Sequence, residues 1–411
     1  MAKVRYVTGL DIGTSKICAI VAAAEEDGNV TVLGMGRSTS EGLRRGVVAN
    51  LERTVESVRN ALEAAEASAG VHIDSVFVGV AGGHIQAIKS HGVVGVGRKD
   101  KEITNDDVER VLDAARAVNI PMDRELLHVF PQGFVVDDQR VIKDPAGIIG
   151  VRLEAQVLIV TGAVTATQNI IKSVNRAGCE VEDIVLEPFA SSEAVLTQDE
   201  KELGVALVDV GGGTTDIAVF IEGAIQHSKV LAIGGEYVTR DIAVGLRTPI
   251  HHAEQIKISS GHALEEMVAD DDTITVPGVG DRDERVVPRR ELASIIEPRM
   301  DELLFIVNGE IEKSGYKHLI PTGVVLTGGA SSLEGTLELG ESIFECPVRL
   351  GRSRKVKGKA DGLDDPAYAT GIGLVRYGLR YRAEGRRARF DKRNIFAKTA
   401  RRMKEWITEY F

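Results

Sequence analysis

Aromatic residues are scarce in this chain of 411 residues, at 4%, and there is a single tryptophan. Cysteines are fewer still: Cys18, Cys179 and Cys346 form no CxxC pair and are odd in number. Together with nine scattered histidines, they argue against a disulfide scaffold or a zinc site and for a reduced, cytoplasmic setting. No apolar run approaches the roughly 20 residues that a membrane-spanning helix requires. The opening residues, MAKVRYVTGLDIG, run directly into a strand pattern, so no signal peptide is expected. Apolar content is 43%, ordinary for a globular chain, and the length exceeds one core, so two major domains with insertions are expected.

Charge is unevenly placed. The net charge is −11, yet the stretch from Arg376 to Phe411 holds twelve Lys or Arg against four Asp or Glu. An acidic body with a basic tail implies that only the tail seeks an anionic surface.

The stretch from Leu207 to Phe220, LVDVGGGTTDIAVF, has a shorter echo from Thr8 to Val21, TGLDIGTSKICAIV. Each reads as a buried strand ending in an aspartate, Asp209 or Asp11, then a glycine-rich turn and a returning strand. Gly211, Gly212 and Gly213 lack Cβ atoms, so several backbone N–H groups can approach a polyphosphate. Thr214 and Thr215 add hydroxyls. Gly13, Thr14, Ser15 and Lys16 repeat the arrangement, with the lysine as a point charge. Like charges repel, so the aspartates suit a hydrated Mg²⁺ beside the phosphates and not the phosphates themselves. A plain tight turn is the alternative, weightier for DIGTSK than for DVGGGTTD.

Paired hairpins of this form resemble the superfamily of actin, the heat-shock chaperones and the sugar kinases. Two α/β halves with ribonuclease-H-type sheets, and ATP between them, are what that resemblance implies. The stretch Val324 to Gly335, VVLTGGASSLEG, resembles the superfamily's adenosine element, with Gly328, Gly329 and Ala330 against the nucleoside. Within the superfamily, nearly the whole chain resembles the FtsA family of bacterial cell-division proteins. That resemblance implies subdomain 1A over residues 1–83 and 163–196, interrupted by an inserted subdomain 1C over 84–162. It further implies subdomain 2A with the start of 2B over 197–257, subdomain 2B over 258–310, and 2A with the adenosine motif over 311–364. A connecting helix is expected over 365–379, with small residues packing against the first connecting helix near Ala190.

Further candidates lie along the chain. Glu187, before Pro188, matches the water-orienting acid of the superfamily, and an ordinary first-turn acid is the other reading. Gly234 and Gly235 precede a helix whose N–H groups could meet an anion. Glu254 and Lys257 resemble residues that flank the nucleoside, with an exposed ion pair one turn apart as the alternative. Leu292, Ile295 and Ile296 mark a short helix that Pro298 breaks or restarts. Arg299, Asp301 and Glu302 are candidates for the 2B surface that receives the FtsZ C-terminal peptide, and a solvated helix face explains the same charges.

Residues 380–393 are dense in charge without an apolar period, and read as a flexible linker. In residues 394–411 the pattern changes. At helical spacing Phe396, Met403, Trp406, Ile407, Tyr410 and Phe411 fall within an arc of roughly 140°. This is the pattern of an amphipathic helix lying in a membrane interface, on anionic lipids. Packing on the protein's own body is the alternative. A nucleic-acid arm fits less well, because an apolar stripe adds nothing to phosphate binding.

The resemblance implies ATP and Mg²⁺ as cofactors, self-assembly into filaments, and recruitment of later division proteins at the cytoplasmic face of the inner membrane. A small-molecule kinase or phosphatase of the same superfamily is the alternative, though no motif for its general base stands out.

Overall fold

The computed structural model describes residues 6–25, 29–138, 142–280, 283–358 and 360–383. In the first half β1 (Tyr6–Ile12), β2 (Lys16–Ala24) and β3 (Val30–Thr39) form an antiparallel meander. A small hairpin, β4 (Leu43–Arg44) and β5 (Val47–Val48), leads to α1 (Leu51–Ala69) and β6 (Ser75–Val80). α1 begins where the Asn50 side chain accepts a hydrogen bond from the Arg53 N–H, and it ends at Gly70 with φ of 68°. Val55, Val58, Leu62 and Ala65 are its buried face, as the helical spacing predicts.

A separate unit follows, made of β7 (Gln86–Gly95), α2 (Asn105–Arg116), β8 (Arg124–Val136) and β9 (Arg152–Ala163). Its antiparallel sheet runs β7-β9-β8 and has its own core, with Val111, Phe134, Leu153 and Ile159 fully buried. The segment Leu127 to Val136 lies within β8, a single strand of 13 residues. Irregularities near His128 and Pro131 interrupt its register, and because β8 is an edge strand a proline is tolerated there.

The chain then returns through α3 (Val164–Arg176), β10 (Glu180–Leu186), α4 (Glu187–Val195) and α5 (Gln198–Leu203). The second half begins with the meander β11 (Val205–Val210), β12 (Thr215–Ile221) and β13 (Ala224–Leu231). Next come α6 (Gly235–Gly245), α7 (Ile250–Ser260) and the hairpin β14 (Thr273–Val276) with β15 (Arg285–Pro288). α8 (Arg289–Lys313), β16 (Val324–Thr327), α9 (Thr336–Phe344) and β17 (Val348–Leu350) complete it. Finally β18 (Val356–Gly358) adds to the first sheet, and α10 (Ala369–Ala383) closes the described chain.

The two large sheets are built alike. One runs β10-β6-β1-β2-β3 with β18 at its edge, the other β17-β16-β11-β12-β13. In each, the meander strands are antiparallel and the two later strands lie parallel to the first. The repeat heard in the sequence is therefore a repeat of topology, and it brings both glycine-rich turns to the same end of their sheets.

Three expectations need correction. α8 is one continuous helix of 25 residues through Pro298. Leu292, Ile296, Met300, Leu303, Val307 and Ile311 are buried along one stripe, and that packing outweighs the hydrogen bond lost at the proline. The adenosine strand is followed by a short 3₁₀ turn, Gly329–Ser332, before α9. The linker expected from Arg380 does not begin there, because α10 continues to Ala383. Tyr381 is buried against Phe77, with ring centroids 5.6 Å apart, and Arg380 pairs with Glu193 at 2.6 Å. Charges read as solvated linker are partly ion pairs.

α4 and α10 join the halves and cross in close contact. A Cβ placed on Gly373 would stand 1.8 Å from the Ala190 carbonyl oxygen. Gly373→Ala is therefore expected to force the two helices apart and destabilise the protein by about 1–3 kcal/mol. Urea denaturation would measure it, and an unchanged midpoint would refute the packing argument.

Candidate functional site

The two hairpins share a register. Asp11 pairs with Cys18 across β1 and β2, and Asp209 pairs with Asp216 across β11 and β12. Each turn closes with the same bond: the Gly13 N–H donates to the Lys16 carbonyl at 3.0 Å, and the Gly211 N–H to the Thr214 carbonyl at 2.9 Å. The turns meet face to face. A Cβ on Gly212 would lie 1.8 Å from Ser15 Oγ, and one on Gly213 would lie 2.5 Å from Thr14 Oγ1. The bare glycines of one turn thus admit the hydroxyl side chains of the other.

Behind the turns lies a concentration of negative charge. Asp11, Asp209 and Asp216 are buried, and Glu187 at the head of α4 stands against Gly79. Burial, then repulsion from Asp11, Asp216 and Asp209, pushes the Glu187 carboxyl well above the usual carboxylate range. Burial and repulsion from Asp209 do the same to Asp216, whose Oδ1 has no hydrogen-bond partner among the described residues. Asp209 is also raised by burial, against the opposing effect of hydrogen bonds from Ser191 and Thr370. The countercharge is Lys16, whose Nζ lies 2.9 Å from Asp11 Oδ2. Burial would lower the lysine's pKa, but the summed attraction of Asp11, Cys18 and Asp209 outweighs it and raises it.

A divalent cation would relieve this excess. The donors are carboxylate oxygens, which suit a hard ion. The neighbouring Cys18 thiol is pushed up to about 12, mainly by burial, so it offers no soft thiolate. Among the described residues no three His, Cys, Asp or Glu converge on one metal-sized point. Buried carboxylate donors of this kind would suit hydrated Mg²⁺, which keeps several waters and takes one or two carboxylates.

The nucleoside candidates are also assembled. Gly235 faces Ala330, whose Cβ would be 3.0 Å from a Cβ on the glycine. Lys257 Nζ donates to Glu254 at 2.6 Å, to Thr239 Oγ1 at 2.9 Å and to the Gly235 carbonyl at 3.2 Å. Gly328, at φ of 85°, brings its backbone against Asp209 and Val210, a contact that a side chain would forbid. Across the cleft mouth, Arg45 Nη2 donates to the Tyr237 hydroxyl at 2.6 Å, linking the β4–β5 turn to α6.

Comparison with known proteins decides the family. A family model described as "Cell division protein FtsA" matches residues 206–373, and one described as "SHS2 domain inserted in FTSA" matches residues 82–161. A Cell division protein FtsA from Pseudomonas aeruginosa is 49% identical over 99% of this chain and 98% of its own length. The chain belongs to the FtsA family. The FtsA of Neisseria meningitidis is 44% identical over 90% of this chain and 89% of its own, and that of Escherichia coli 39% over 99% and 98%. Among solved structures, the PilM-PilN type IV pilus biogenesis complex matches with a TM-score of 0.67 at 16% identity, covering 92% of this chain and 99% of that one. MreB5 of Spiroplasma citri bound to ADP matches with a TM-score of 0.53 at 14% identity, covering 93% and 99%. The fold is the actin-like ATPase fold, and the unit holding β7, α2, β8 and β9 is the SHS2 insertion of the FtsA family.

The structure brings Asp11, Gly13 to Lys16, Asp209, Gly211 to Thr215, Glu187, Gly235, Glu254, Lys257 and Gly328 to Ala330 together through a chain of neighbouring contacts. Two details differ from expectation. The Thr215 hydroxyl is committed elsewhere, donating to the Ile233 carbonyl at 2.9 Å. The N–H groups of Gly235 and Glu236 donate to the Gly211 and Gly212 carbonyls at 2.9 Å, so the start of α6 braces the hairpin and does not present those donors to an anion. Arg299 also turns inward: its Nε donates to Asp241 at 2.5 Å and its guanidinium lies over the Tyr237 ring. Asp301 and Glu302 stay exposed. Phe396, Met403, Trp406, Ile407, Tyr410 and Phe411 lie outside the described residues. Sequence reading missed Asp216, although its signal was present as the last residue of DVGGGTTD, opposite Asp209. It also missed Ser191, Thr370, Arg45 and Tyr237, whose partners are distant in the chain.

Proposed function

We propose that this chain is an actin-like cell-division protein that binds ATP and Mg²⁺ between its hairpins and polymerises at the cytoplasmic face of the inner membrane, at the division site. There it tethers the FtsZ C-terminal peptide through its 2B surface and recruits later division proteins. The observation that carries this reading is the pair of turns in equivalent register, closing on a cleft with four carboxylates and one lysine.

The chemistry follows from the residues. Backbone N–H groups of both turns, with the Thr14, Ser15 and Thr214 hydroxyls, bind the phosphates, and Lys16 supplies positive charge. Asp11 and Asp209 hold the hydrated Mg²⁺, which offsets phosphate charge when bound, and Asp216 faces the same space. Glu187 orients water for a weak hydrolysis. Gly328, Gly329 and Ala330, with Gly235, Glu254 and Lys257, take the nucleoside. Two fold relatives support the reading: one is MreB5 of Spiroplasma citri bound to ADP, the other a MamK double helical filament.

Electron microscopy of the protein with ATP and Mg²⁺ on an anionic lipid monolayer tests the proposal. Filaments that vanish on chelation of Mg²⁺ are the expected result. Absence of polymer, together with rapid phosphate transfer to sugars or acids, would favour an enzyme instead.

A further inference from the structure

The two hairpin aspartates occupy equivalent register positions but are held differently. Asp11 is paired with Lys16 of its own hairpin. Asp209 is held from outside, by both helices that join the halves. The Ser191 hydroxyl on α4 donates to Asp209 Oδ2 at 2.6 Å, and the Thr370 hydroxyl on α10 donates to the same oxygen at 3.1 Å. The two hydroxyl oxygens are themselves 2.9 Å apart. All three groups are buried: Ser191 is 0% exposed, Thr370 7% and Asp209 8%. The other oxygen, Oδ1, lies over Gly328 of the adenosine turn, 2.3 Å from where a Cβ would stand.

The proton count gives this triangle a direction. Three oxygens share two hydroxyl protons, and with both directed at Oδ2 that oxygen accepts twice while Oδ1 accepts from neither hydroxyl. Both hydroxyl bonds fall on one oxygen, and they leave Oδ1 as the oxygen with capacity to spare. The bonds also join three separate elements, β11, α4 and α10. α4 and α10 touch at Gly373 and Ala190, so a relative rotation of the halves moves Ser191 and Thr370 with the helices that carry them. A carboxylate fixed by both helices can present one geometry to a cation only while that crossing is held.

We propose that Ser191 and Thr370 are positioning residues that orient Asp209 for the cation and couple its occupancy to the crossing of α4 and α10. The inference rests on the reading of the cleft as a magnesium-nucleotide site. A purely structural alternative exists, in which the hydroxyls merely satisfy a buried carboxylate.

The test uses the full chain with Ser191→Ala, Thr370→Val and Thr370→Ser. Valine keeps the shape of threonine without its hydroxyl, and serine keeps the hydroxyl. Nucleotide binding is titrated against Mg²⁺ with a fluorescent ATP analogue. The Mg²⁺ concentration for half-maximal binding should rise about tenfold in Ser191→Ala and severalfold in Thr370→Val, as expected for lost bonds to a charged group, and return to wild type in Thr370→Ser. Hydrogen exchange gives a second readout. Mg²⁺ added to the nucleotide-bound wild type should slow exchange in α4 and α10 together, and this joint protection should be absent in the Ser191→Ala, Thr370→Val double variant. Unchanged Mg²⁺ dependence in the variants, or Thr370→Ser as impaired as Thr370→Val, overturns the coupling while the nucleotide reading stands. A wild-type chain that binds no magnesium nucleotide overturns both.

Discussion

Asp216→Asn is expected to make the magnesium-free protein more stable while removing most of its Mg²⁺-dependent nucleotide binding. Asp216 is 3% exposed, stands opposite Asp209 in the hairpin register, and leaves one carboxylate oxygen without a partner. Burial and repulsion from Asp209 raise its pKa well above the ordinary 3.8. The folded state therefore binds a proton that the unfolded state releases. For such a group the penalty is absent below the ordinary aspartate range, and stability falls as pH rises from there through the raised folded pKa. Asparagine cannot ionise, so its benefit should be near zero around pH 4 and reach about 1–3 kcal/mol at neutral pH, the scale for one poorly satisfied buried polar group. Urea denaturation in chelator at both pH values measures it. A benefit equal at both, or a loss at neutral pH, would contradict the electrostatic account. Binding of nucleotide with Mg²⁺ should meanwhile weaken at least about tenfold, because a carboxylate near the cation has been neutralised.

Removing residues 392–411 should abolish sedimentation with anionic vesicles. Full burial of one Phe, Met or Ile is worth about 1.5–3 kcal/mol, less at an interface, and each Lys or Arg near an anionic leaflet adds about 1. Even a fraction of that sum corresponds to a loss of about a hundredfold or more in membrane partitioning, and polymerisation would amplify it. No described helix is long and apolar enough to cross a membrane. In a purified system, equal sedimentation of the shortened and intact chains would eliminate the tail as the anchor. Trp406→Glu in the intact chain separates apolar insertion from simple charge attraction, since it leaves every basic residue in place.

Local pattern carried the sheets of this protein into view. Alternation marked the strands flanking both glycine turns, because in a buried strand the period-2 pattern is the packing itself. The Asn50 cap of α1 is likewise a local device, since its hydrogen bond acts within three residues. The misreadings arose where distant contacts outweigh local preference. Pro298 looks like a break until the buried stripe from Leu292 to Ile311 is seen to continue through it. Arg380 and Arg382 look like linker charges until Glu193 and Glu182, nearly two hundred residues earlier, meet them. In the cleft, aspartates and glycines could be found by motif, since each turn makes its own geometry. The hydroxyls on Asp209 could not, because Ser191 and Thr370 are 179 positions apart and belong to helices whose small residues signal only close packing. Thr215 shows the opposite error: a hydroxyl of the right type in the right motif, committed to the Ile233 carbonyl by the adjoining strand.

The central claim is that two facing turns hold one magnesium nucleotide. Crystals of the full chain grown with Mg²⁺ and a non-hydrolysable ATP analogue test it most directly. The account predicts the triphosphate between residues 13–16 and 211–215, the ion beside Asp11 and Asp209, and the base near Gly328 and Gly329. A saturating analogue bound elsewhere, or a cleft that stays free of it, would contradict the account.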